Sequence, residues 1–143
     1  MMKILVAVDG SKFSLHAVKY AAKLVAGLQS GPHSITLICV HDDTGLNHAK
    51  SFVGKAAVVD YLRERCEKEL RPARKLLDAA GIRHDMVERT GHVAKEILDC
   101  AGKGKFDLVV LGSKGRGAIA DLLIGSVAQR VLAAARQPVL LVR

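Results

Sequence analysis

Five short runs rich in β-branched and aliphatic residues punctuate the chain, and their texture narrows the possible folds more than any other feature. They are KILVAVD at 3–9, SITLICV at 34–40, IRHDMVE at 82–88, FDLVVLG at 106–112 and PVLLVR at 138–143. The first, second, fourth and fifth are nearly continuous in hydrophobics. That texture suits strands buried on both faces of a parallel sheet. The third run alternates more and is expected nearer a sheet edge.

Helical patterns fill the intervals. Residues 12–28 place Ala17, Ala21, Leu24, Val25 and Leu28 on one stripe, with Ser11 positioned as N-cap. Residues 51–80 predict a long basic helix carrying Leu62, Cys66, Leu70, Ala73 and Leu77 inward, with Gly81 as its C-cap and Pro72 kinking or splitting it. Residues 92–101 and 126–136 supply two more, the last with Val127, Val131, Leu132 and Ala135 facing the core. Strand–helix alternation from end to end implies right-handed βαβ crossovers and a three-layer α/β architecture. At 143 residues the chain is expected to form a single domain over 1–143, large enough to bury a core without metal or disulfide.

The glycine-rich stretch LGSKGRGAIADLLIGS at 111–126 is the strongest chemical signal. It lacks the G-x-x-x-x-G-K-[ST] string of a P-loop. A dinucleotide fingerprint fits only as Gly115-x-Gly117-x-x-Ala120, three residues beyond the strand and without an acidic residue about twenty positions on. The spacing that fits is Gly112-x2-Gly115-x9-Gly125-Ser126. Gly112 ends a strand and admits a ligand to the backbone, and Gly115 supplies a tight turn whose N–H groups form an anion nest. Gly125 and Ser126 open a helix whose first N–H groups and dipole favour phosphate. Lys114 and Arg116 stand beside the turn as countercharges.

This register resembles the nucleotide-binding signature of the universal stress protein family, in its ATP-binding branch. ILVAVDGS at 4–11, GHVAKEIL at 91–98, DLVVLGSKGRG at 107–117, LLIGSVAQRVL at 122–132 and the terminal PVLLVR agree, so the similarity spans nearly the whole chain. The resemblance implies an adenine nucleotide alpha hydrolase-like fold: a five-stranded parallel sheet in order 3-2-1-4-5 with helices on both faces. It also implies a homodimer. By the family's pattern Ala7, Asp9, Val40 and Leu111 hold the adenosine part, Val40 through its backbone. Gly112, Gly115, Gly125, Ser126 and Val127 take ribose and phosphates. Asp9 has a competing role as a turn former before Gly10 and Ser11. Gln137, where many relatives carry a small residue or cysteine, departs from the pattern away from the nucleotide.

The implied ligand is ATP, or ADP or AMP, with Mg²⁺ as an accompanying ion, and the implied role is a nucleotide-dependent regulatory binding module in the stress response. Three or four charge-assisted N–H bonds at about 1.5–3 kcal/mol each do not outweigh an association cost of about 4–15 kcal/mol. Adenine burial must therefore contribute, and micromolar affinity is expected. No residue presents itself as a water-activating base and none is assigned as catalytic, so the alternative, a Mg²⁺-dependent ATPase or phosphotransferase at the same site, would be slow.

The net charge of +8 favours anionic partners in general. Basic residues are spread along the chain, however, and aromatics amount to 3%, too few for stacking on single-stranded nucleic acid. Nucleic acid is therefore the least favoured partner. Cys39, Cys66 and Cys100 are far apart in sequence, inside apolar or amphipathic stretches, and are expected to be buried reduced thiols of a cytoplasmic protein. The apolar run at 3–9 is too short for a signal peptide or membrane span. His41, Asp42, Asp43 and His48, in the polar segment 41–50, match no standard metal-ligand spacing and are expected to be solvated loop residues. The last strand, Pro138 to Arg143, would expose unpaired backbone as an edge and is the expected dimer contact.

Overall fold

The computed structural model describes residues 1–28, 31–42, 54–115 and 123–143. Its elements run β1 (Lys3–Ala7), α1 (Lys12–Gly27), β2 (Ser34–His41), α2 (Lys55–Ala79), β3 (His84–Thr90), α3 (Val93–Lys103), β4 (Leu108–Gly112), α4 (Ser126–Ala134) and β5 (Val139–Val142). The strands form one five-stranded parallel sheet in the order β3-β2-β1-β4-β5. The alternating run is the β3 edge, displaced two residues along the chain from its sequence-based bounds. Only one of its faces is covered, which is why its pattern alternates while β1, β2 and β4 are apolar on both faces.

The two faces bury separate cores. On one, Ile4, Val6, Ile35, Leu37 and Cys39 meet Ala17, Val18 and Ala21 of α1 and Cys66, Leu70, Ala73 and Leu77 of α2. On the other, Leu5, Ile38, Val40, Val109 and Leu111 meet Ala94, Ile97 and Cys100 of α3 and Ala128 and Val131 of α4. Each strand thus sends alternate side chains to opposite layers, as the two-residue period of a strand requires.

Local chemistry sets the helix ends. Ser11 caps α1 by accepting the Ser14 N–H at 3.2 Å. Helix α2 ends in a Schellman motif: Gly81 at φ +68° lets its N–H reach the Asp78 carbonyl while Ile82 N–H reaches Leu77. Two expectations are corrected. Of the two outcomes expected for Pro72, splitting is excluded: α2 runs through it unbroken, and it and Lys68, whose carbonyl loses its intrahelical donor, both lie on the exposed face, where that carbonyl is accessible to solvent. In α4 the buried stripe is Ala128 and Val131, whereas Leu132 is 43% exposed. The small Ala128, not Leu132, is what the adjoining α3 and sheet leave room for.

Candidate functional site

The sheet order places the topological switch between β1 and β4. Helix α1, leaving β1, packs on one face, and α4, following β4, packs on the other, so the strand ends diverge and leave a crevice at their carboxyl edge. A cavity of about 400 Å³ occupies that crevice, within the range usual for small-molecule sites. All nine residues singled out from the sequence, Ala7, Asp9, Val40, Leu111, Gly112, Gly115, Gly125, Ser126 and Val127, line it together. Arg116, Gly117 and Ala120, which belong to the same glycine-rich stretch, lie outside the described residues, as do Asp43 and His48 of the polar segment 41–50.

The cavity has an apolar and a polar side. Val40, Val93, Ile97, Leu111, Val127 and Ala128 make a wall continuous with the α3–α4 core. Asp9, Ser14, Lys114, Gly115 and Ser126 make the polar side. Of these, Ser14, Val93, Ile97 and Ala128 were not foreseen from sequence. Val93, Ile97 and Ala128 sit at ordinary core positions of α3 and α4, so the wall of the cavity and the core share one sequence signature.

Asp9 performs its turn-forming role and faces the cavity as well. Its Oδ1 accepts the Ser11 N–H at 2.9 Å, closing an Asx turn, while its own N–H donates to Ser14 Oγ at 3.3 Å. Ser14 Oγ in turn donates to the Ser11 carbonyl at 3.0 Å. The turn therefore fixes Asp9 beside the glycine-rich loop: a Cβ built on Gly115 would stand 2.8 Å from Asp9 Oδ2. This close approach, rather than a positive φ, is what favours glycine at 115; an added Cβ there displaces the end of the Asp9 side chain.

Gly112 lines the cavity and serves the fold as well. A Cβ there would meet the Phe13 backbone at 2.8–2.9 Å, so the glycine also admits the first turn of α1. The loop it begins is tied at both ends: Ser113 N–H donates to the Val142 carbonyl and the Ser113 carbonyl accepts from Gly125 N–H, each at 2.7 Å. Gly125 is the N-cap of α4, without a side-chain cap, and its own N–H is engaged by Ser113. The donors that the start of α4 offers the cavity are the next amides, from Ser126 onward, which have no intrahelical acceptor.

Val40 presents its backbone to the crevice. The His41 carbonyl faces β3, where it accepts from Gly91 N–H at 3.0 Å. By strand alternation the Val40 amide and carbonyl face the opposite way, toward β1, whose last paired residue is Ala7 opposite Ile38. Behind the site, Arg89 on β3 anchors α3: its Nη1 donates to Asp99 at 2.8 Å and to Glu96 at 3.3 Å, and Lys103 joins Asp99 at 3.2 Å. The Arg89 hydrogen bond, then Lys103, holds the Asp99 carboxyl below its ordinary range.

A second cluster lies on the far face of the same strand end. Cys39 and Cys66, expected as separate thiols, are in contact at 2.6 Å between sulfurs. Its hydrogen bond with Cys66, and then burial, push the Cys39 thiol well above its ordinary range. His41 joins this cluster rather than the polar loop, with Nε2 3.1 Å from Glu69 Oε2.

Comparison with known proteins agrees with this architecture. The universal stress protein family matches residues 1–143. A universal stress protein of Thermus aquaticus, encoded in the QAH/OAS sulfhydrylase 3′ region, is 35% identical over 141 residues, covering 98% of this chain and 97% of that protein. The solved structure of hypothetical protein MJ0577 superposes with a TM-score of 0.85 at 24% identity, covering 99% of this chain and 94% of that one. A universal stress protein solved in complex with cAMP superposes with a TM-score of 0.73 at 26% identity, covering 99% and 97%. The chain belongs to the universal stress protein family.

Proposed function

We propose that the chain binds an adenine nucleotide in the crevice between β1 and β4, with ATP as its working ligand, and acts as a nucleotide-dependent binding module. The observation that carries this reading is the convergence of Asp9, Val40 and the Gly112–Gly115–Gly125–Ser126 register on one cavity. The relative crystallised with cAMP supports an adenine nucleotide as the ligand class. Adenine lies against the apolar wall, with its edge toward the outward-facing Val40 backbone. The phosphates extend along Gly115 to the first amides of α4, where Lys114 supplies positive charge and the helix dipole favours an anion.

Turnover is expected to be slow with or without Mg²⁺. Among the described lining residues Asp9 is the one carboxylate, and one of its oxygens is already engaged by Ser11. The whole chain acts as one unit, and two copies pair through the β5 edge. Denaturing the purified protein and identifying the released small molecules by mass spectrometry tests the ligand. ATP or ADP supports the reading, while cyclic or monophosphate species alone would move the preference away from ATP.

A further inference from the structure

We propose that Cys39, His41, Cys66 and Glu69 form a structural binding site for a borderline-soft divalent cation of the zinc type, clamping α2 to the end of β2. Neither the nucleotide cavity nor any role assigned to it uses these residues. Cys39 and His41 are two apart on a strand and so share one face, and Cys66 and Glu69 are three apart on a helix and do likewise. Packing α2 on that face of the sheet brings the two pairs together.

The site is closed. Cys39 is 0%, Cys66 3% and His41 6% exposed, and the ligand atoms of these three all lie within 4.8 Å of one another. Two thiols and an imidazole are typical zinc donors, and a carboxylate is an accepted one; Glu69, whose Oε2 lies beside His41 and Cys39 but outside the group of three whose ligand atoms all converge, completes a four-coordinate shell by closing on Cys66. The two distances to the carboxylate agree with that reading. Bond lengths of about 2.0–2.3 Å and tetrahedral angles put nitrogen and oxygen ligands about 3.3 Å apart, and sulfur and oxygen about 3.5 Å apart. His41 Nε2 lies 3.1 Å from Glu69 Oε2, and Cys39 Sγ lies 3.5 Å from the same oxygen. The two sulfurs, 2.6 Å apart, separate by about 1 Å on binding, to the spacing of about 3.8 Å that the same geometry requires.

The two oxygens of the Glu69 carboxylate face different described groups. Oε2 faces the cluster, while Oε1 lies 3.7 Å from Arg65 Nη2 one helical turn away. An outer partner of this kind orients a metal-bound carboxylate. Arg65 also offsets the excess negative charge of two thiolates and a carboxylate around a dication. On binding, each thiol loses its proton to solvent as its metal–sulfur bond forms, so two protons leave per ion and affinity falls as pH is lowered.

Titrating reduced full-length protein with Co²⁺ and following its absorption tests the site, with Zn²⁺ used to displace the cobalt. The expected result is a thiolate-to-metal charge-transfer band with intensified tetrahedral d–d bands, saturating at one ion per chain and abolished by Zn²⁺. Cys66→Ala loses the charge-transfer band, Glu69→Gln binds at least tenfold more weakly, and Cys100→Ala, altered on the opposite core, titrates like the wild type. Saturating Zn²⁺ raises the Tm of the wild type by about 5–10 °C and leaves that of Cys66→Ala unchanged. Absence of a charge-transfer band in reduced wild-type protein overturns the proposal. So does a band that survives in Cys66→Ala, or a Cys39–Cys66 disulfide that persists in the native protein under strong reductant. None of these readouts depends on nucleotide, so the nucleotide reading stands or falls separately.

Discussion

Gly112 and Gly115 belong to one motif but are glycines for different reasons, and substitution separates them. At 112 an added Cβ collides with the Phe13 backbone, which moves only if α1 moves. Gly112→Ala is therefore expected to lower stability by about 1–3 kcal/mol, measured as a reduced denaturation midpoint, whatever becomes of ligand. At 115 the added atom meets the far end of the Asp9 side chain, which can swing aside into the cavity. Gly115→Val is expected to keep its unfolding free energy to within about 1 kcal/mol while adenine-nucleotide affinity drops at least tenfold. Equal loss of stability in both variants would show that the loop, not the cavity, is what residue 115 serves. The sequence register pointed to both glycines but could not distinguish these reasons, because the clash at 112 is with a residue 99 positions earlier in the chain.

Among the elements, α3 is held by charge as well as by its apolar face. The Asp99 carboxyl is depressed by Arg89 and Lys103, so its folded-state pKa lies below its unfolded value of about 3.8. Its contribution to stability is therefore complete above that value and is lost as pH falls through the folded one. Acid denaturation monitored by circular dichroism should show a shallower loss of stability below pH 4 in Asp99→Asn than in the wild type; identical acid profiles would contradict the assignment. In the opposite core, Leu70 of α2 is 1% exposed, and Leu70→Ala is expected to cost about 2–5 kcal/mol by denaturant titration. β1, β2 and β4 were legible because burial on both faces leaves a continuous apolar run, and α2 because its buried residues recur every three or four positions. The inward face of α4 was legible in part: Val131 is buried and Val127 and Ala135 pack against the same core as expected, but Leu132 is exposed, and Ala128 carries no hydrophobic signal that separates it from the exposed alanines around it. The meeting of Cys39 with Cys66 was illegible too, since only the packing of α2 on β2 brings together residues 27 apart.

For the molecule as a whole, sheet order converts scattered motifs into one crevice, because β1 and β4 are neighbours in space while 100 residues separate their motifs in sequence. The same order leaves β5 as an edge with half-buried side chains, which is the basis for expecting two copies to pair there. Light scattering at micromolar concentration should give twice the 15.3 kDa chain mass, and a value of one chain would exclude that pairing. No described helix is long and apolar enough to cross a membrane, and the net charge of +8 gives the surface a general attraction for anions. The central claim is tested most directly by calorimetric titration of nucleotide-free protein with ATP, ADP, AMP and cAMP, alongside Gly115→Val. The account predicts one site per chain, micromolar affinity for ATP, weaker binding of the monophosphates, and at least tenfold loss in the variant. Folded wild-type protein that binds none of the four nucleotides at millimolar concentration would contradict it.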